Sequence, residues 1–149
     1  MWTRTTLMVI ACALGVTLAP AARARDTVLY LPIKDVLENP EYRARIGSDV
    51  ALYFGQQPPP AIARGLAEVV TNRKTSAFGK PDAEACRWGM LAAVLQLVQS
   101  ARERGGNVVV GIRSSYKRSD YVSDTDYECH AGGLIAGVAL KGRIVRLKR

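Results

Sequence analysis

The only histidine of the chain, His130, directly follows a cysteine, Cys129, in the stretch YECHAGG at 127–133. Three chemistries are open to such a pair: a thiolate nucleophile with an imidazole base, part of a metal site, or a disulfide with a histidine beside it. A nucleophilic dyad needs both side chains within hydrogen-bond reach. The segment Glu128 to Leu140 reads as a strand, and strand neighbours point to opposite faces. The dyad is therefore disfavoured. Cys129 is expected to face the core, and His130 to face solvent or a second surface.

A metal site needs more ligands than this pair. Structural zinc takes four Cys or His ligands, and the chain has neither CxxC nor HxxxH. Asp120, Asp124, Asp126 and Glu128 lie just upstream of His130. Asp124, Asp126 and Glu128 alternate, so an extended backbone would put them on one face. With His130 or Asp120 they are the candidate cation ligands. The calcium-loop pattern with its fixed glycine is absent. A solvated acidic loop opposite a basic surface is the simpler reading, and no metal or cofactor is expected.

Tyr116, Tyr121 and Tyr127 stand among Lys117, Arg118 and the acids. Such mixing suits a glycan or partner surface, and equally the half-buried face of a hairpin. Nucleotide chemistry is excluded on motif grounds. Gly79-Lys80 is followed by Pro81, not Ser or Thr, and no glycine stands at the upstream position a phosphate loop needs. No G-x-S-x-G or H-E-x-x-H occurs. With no complete catalytic set, the expectation is a non-enzymatic protein.

These residues are carried by a chain of 149 residues, enough for one domain. Residues 1–24 have the grammar of a signal peptide: Arg4, an uncharged apolar run from Leu7 to Ala19, and Ala22-Arg23-Ala24 before the cut. Cleavage is expected between Ala24 and Arg25, leaving 25–149 as a single exported domain, periplasmic or secreted. A lipoprotein box at Val9-Ile10-Ala11-Cys12 is the lesser reading, its apolar stretch being short. No later stretch is apolar enough to span a bilayer. Arg4 and Arg23 leave with the leader, so 19 basic residues then face 13 acidic ones, a net charge of +6. That balance suits another envelope protein or an anionic envelope surface as partner. Export and the lack of a recognised motif argue against nucleic acid. The densest basic run is Lys141, Arg143, Arg146, Lys148 and Arg149; a second cluster is Arg73, Lys74 and Lys80.

Loss of Cys12 leaves Cys86 and Cys129. An even pair in an oxidising compartment reads as a disulfide. The closure, over 43 positions from 86 to 129, contributes about 4 kcal/mol in the chain-entropy model.

The clearest element is a helix over residues 82–104. Pro81, Asp82 and Glu84 suit its start. Cys86, Met90, Val94, Leu97 and Ala101 recur at steps of three or four, and Gly105-Gly106 end it. Strands are expected at Thr27–Ile33, ending at Pro32, at Val50–Phe54 and from Leu66 toward Ala77. Further strands are expected at Asn107–Ile112, continuing to Arg118, and at Glu128–Leu140. Asp35–Ile46 reads as a short helix, with Pro40 suited to its start. GQQPPP at 55–60 is a stiff connector, and SDYVSDTD is a turn or short irregular loop. Lys141-Gly142 suggests a tight turn, with Arg143–Leu147 pairing back as a last strand. The class is α+β: one small domain, a mostly antiparallel sheet covered by one long helix, and one disulfide.

The stretches NRKTSAFGKPDAEACRW and GGNVVVGIRSSYKRSDYVSDTDYECHAGGLIAGVALKG resemble a group of small exported proteobacterial proteins that carry the label of the ABC excinuclease, or excinuclease ATPase subunit. The likeness runs over about Asn72 to Gly142. That label describes a large cytosolic DNA-repair ATPase with phosphate loops and zinc motifs, which this chain lacks. More remotely, the helix followed by GGNVVVGIR is similar to the YbjQ heavy-metal-binding family and the signalling domain of the stress-sensor lipoprotein RcsF. Those imply a small α+β fold, disulfides in the exported member, and a sensing or interaction role. No metal-ligand set of that family maps onto residues here. The expected function is therefore envelope interaction or stress sensing. The alternative is binding of a metal or small ligand by His130 and the 120–128 acidic loop.

Overall fold

The computed structural model describes residues 24–148. The leader and Cys12 lie outside the described residues. Seven strands form one mixed sheet: β1 Thr27–Pro32, β2 Ala51–Phe54, β3 Ile62–Ser76, β4 Val108–Tyr116, β5 Ser119–Tyr121, β6 Asp126–Ala131 and β7 Ile135–Leu147. The helices are α1 Lys34–Leu37, α2 Pro40–Ile46 and α3 Asp82–Glu103. The main path runs β1-β6-β7-β4-β2, with β3 on the far side of β7 and β5 beside β4. All pairings are antiparallel except β2–β4. Those two are linked through β3 and α3, a crossover long enough to bring two strands parallel.

α3 lies across β3, β7 and β6. Met90, Val94, Leu97, Val98 and Ala101 are fully buried beneath it, against Val138, Leu140 and Ile144 of β7. The helix comes close because Gly89 has no side chain: a Cβ there would stand 3.3 Å from Val138 Cγ2. The opposite sheet face carries a separate small apolar cluster of Val108, Val110 and Val145, backed by Tyr53, Ile62 and Leu147. Most of that face, the open face of the sheet, has no helix over it.

Several expected boundaries shift. The single strand Glu128–Leu140 is two strands, broken at Gly132-Gly133, where Gly132 N–H bonds the Ile135 carbonyl at 2.8 Å. The expected turn at Lys141-Gly142 is absent, and β7 runs straight through to Leu147. Glycine sits there for space, since a Cβ at 142 would lie 2.9 Å from Val109 Cγ1 and 3.2 Å from Ile112 Cγ1. The expected last strand is therefore the second half of β7. The strand expected from Leu66 begins at Ile62. The helix expected over 35–46 is two helices, parted at Asn39, whose side chain accepts the Glu41 and Tyr42 amides to cap α2. The stretch after Arg118 is not all loop. Lys117 and Arg118, both at positive φ, turn the chain into β5.

Candidate functional site

The disulfide exists as expected. Cys86, in the first turn of α3, bonds Cys129 of β6, with Cα atoms 5.9 Å apart and both residues wholly buried. Alternation along β6 then sets everything beside it. Tyr127, Cys129 and Ala131 point to the core, while Glu128 and His130 lie on the open face.

His130 is held from three sides. Its Nδ1 is 3.0 Å from Asp26 Oδ1 and its Nε2 is 2.9 Å from Glu128 Oε1. The ring stacks on Tyr116, centroids 3.4 Å apart and planes 18° from parallel. Lys117 Nζ lies over the same tyrosine ring, 5.2 Å from its centroid. The imidazole donates to both carboxylates only when both nitrogens carry protons. Its side chain is 13% exposed, so the group forms a half-buried shelf.

Arg25 and Asp26, just ahead of β1, complete this shelf. Arg25 grips Asp82 at the head of α3 with two bonds of 2.7 and 2.9 Å, and donates to the Gly132 carbonyl at 2.8 Å. Those hydrogen bonds hold the Asp82 carboxyl below the usual carboxylate range. Asp26, the next residue, is thereby placed against His130. Gly132 fits because a Cβ there would meet the Arg25 and Ile135 carbonyls at 3.2 Å. Beside the shelf lies an open groove of about 440 Å³, lined by Arg25, Lys74, Tyr116, His130, Leu134 and Gly137.

The candidate cation ligands do not converge. Asp120 accepts from Ser115 Oγ at 2.6 Å and Arg113 Nε at 2.8 Å, and these contacts lower its pKa. Asp124 accepts the Gln56 amide at 2.7 Å, across the turn at Gly55. Asp126 accepts from the Thr125 hydroxyl at 3.2 Å. Only Glu128 meets His130. Among the described residues, no three His, Cys, Asp or Glu side chains form a group able to hold a metal. A larger cavity of about 560 Å³ opens between α1 and β2, past Ile33, Leu52 and Phe54. Of its three acids, Glu38, Asp124 and Asp126, the last two are the ones already engaged.

The three tyrosines separate in role. Tyr127 is core, 1% exposed. Tyr121 packs on Tyr30 of β1 with centroids 4.6 Å apart. Tyr116 alone joins the His130 shelf. Trp88 packs on Tyr42 at 5.3 Å, with Arg45 over its ring. In the basic tail, Lys141 pairs with Glu68 of β3 at 3.4 Å, while Arg143 has no ion pair among the described residues. The contribution of Asp26 and Arg25 was not legible in sequence, because both act on residues more than 50 positions away. The one available signal was their place at the expected start of the exported chain.

Comparison with protein-family profiles, curated proteins and solved structures finds no match for this chain. No helix among the described residues is long and apolar enough to cross a membrane.

Proposed function

We propose that this chain is an exported, non-enzymatic binding domain of the cell envelope, serving envelope interaction or stress sensing by engaging an anionic surface. One observation carries the reading: the two faces of β6 are divided between structure and display. The thiols are consumed in a buried disulfide, while His130, Tyr116 and their groove are presented on the face without a covering helix. Both nitrogens of His130 already meet carboxylates, so the ring is held in place by its neighbours. The excess of cations over anions supplies long-range attraction to acidic headgroups or polymers.

The test is cosedimentation of the protein, recovered from an exporting host, with phosphatidylglycerol vesicles at low and high salt. Binding that falls with salt, is absent on neutral phosphatidylcholine vesicles, and weakens in Lys141→Gln/Arg143→Gln supports the reading. No binding at low salt, or turnover of a substrate through His130, would overturn it.

A further inference from the structure

Among the described residues β3 pairs only with β7, so its other edge is open along the whole strand. Exposed edges are normally blunted by bulges, prolines, shortness or charged side chains, because unpaired N–H and C=O groups template another strand. Here the irregularities are confined to Ile62–Ala67, where the register slips twice. From Ala67 to Ser76 the ladder to β7 is unbroken, with no proline. That leaves ten residues of regular edge, about 34 Å long. On the open face this stretch shows Glu68, Val70, Asn72 and Lys74, with Val70 58% exposed.

We infer that β3 is a homodimer edge: two copies of this chain pair β3 to β3, antiparallel, about a two-fold axis at Thr71. The register follows from charge. Centred on Thr71, Glu68 of each copy stands opposite Lys74 of the other, and Val70 opposite Asn72. A shift to a centre on Val70 sets Glu68 against Asn72, and a centre on Asn72 sets it against Ser76. The Thr71 register satisfies both charges twice, and opposite-charge cross-strand pairs stabilise antiparallel ladders. A two-fold axis makes the pairing isologous, as in most dimers, and here it runs normal to the sheet. It keeps both copies of α3 on the same side of a continuous sheet. There Arg73, Leu95, Gln96 and Gln99 line an open groove of about 420 Å³. Pairing at this edge does not depend on the protein engaging an anionic surface.

The experiment is sedimentation equilibrium on the exported protein and on Lys74→Glu, Glu68→Lys and the double exchange. Lys74→Glu is the cleaner single change, since Glu68 also pairs with Lys141 in its own chain. Circular dichroism melts establish that each variant folds. The expected result is a dimer that each single change weakens by about tenfold or more, two attractions becoming two repulsions. The double exchange restores it. A protein that stays monomeric at about 500 µM, well above micromolar association, would overturn the inference. So would a dimer indifferent to the single changes, or one that the double exchange does not restore.

Discussion

Replacing both Cys86 and Cys129 by alanine tests the central structural element. The bridge ties the first turn of α3 to β6 across 43 residues. Closing a loop of that length removes about 13 cal/mol/K from the unfolded chain, or about 4 kcal/mol at 25 °C. Alanine suits the site, since both positions are wholly buried and a serine would bring an unpartnered hydroxyl. The assay is urea unfolding followed by circular dichroism. With a denaturant slope of about 2 kcal/mol/M, the loss moves the midpoint down by about 2 M. Reduced wild-type protein should unfold near the variant's midpoint, because both lose the same constraint. The slope itself should rise in the variant, as the uncrosslinked chain exposes more surface on unfolding. A midpoint shift corresponding to less than about 1 kcal/mol would refute the reasoning, by showing that the closed loop does not restrict the unfolded chain as the entropy model requires.

Two further outcomes follow from named groups. Hydrogen bonds of 2.6 and 2.7 Å from Arg102 hold the Asp49 carboxyl down at about 2, below its unfolded 3.8. A depressed carboxyl pKa gives stability that is full above the unfolded value and is lost as pH falls through the folded one. Asp49→Asn should therefore flatten the stability profile between about pH 4 and pH 2. Acid-unfolding curves for variant and wild type that run parallel there would count against the pair. Tyr127 carries a buried hydroxyl with no partner, and burial raises its pKa well above the usual tyrosine range. Tyr127→Phe should be neutral or stabilising by up to about 1 kcal/mol. A clear loss of stability in chemical denaturation would show that the hydroxyl is hydrogen-bonded after all.

Much of the architecture was legible along the chain because its causes are local. The apolar stripe from Cys86 to Ala101 marks α3 whatever lies beneath it, since a 3.6-residue period admits no other regular structure. The cores of β1, β2 and β4 declare themselves by β-branched and aromatic residues. The disulfide followed from an even count and an expected oxidising compartment, and the divergence of Cys129 and His130 from strand alternation alone.

Tertiary structure decided whatever depends on a distant neighbour. Gly142 reads locally as a turn; only Val109 and Ile112, packed against the position, make it the straight middle of β7. The parallel pairing of β2 with β4 and the placing of β3 outside β7 depend on where α3 lands, which no local pattern encodes. His130 meets a carboxylate two residues away and another 104 residues away. The first follows from alternation and the second only from the Arg25 clamp on Asp82. Residue type and period determine the elements and which face each side chain takes. The company each side chain keeps is set by non-local pairing, where loop-closure entropy and packing act over the whole chain.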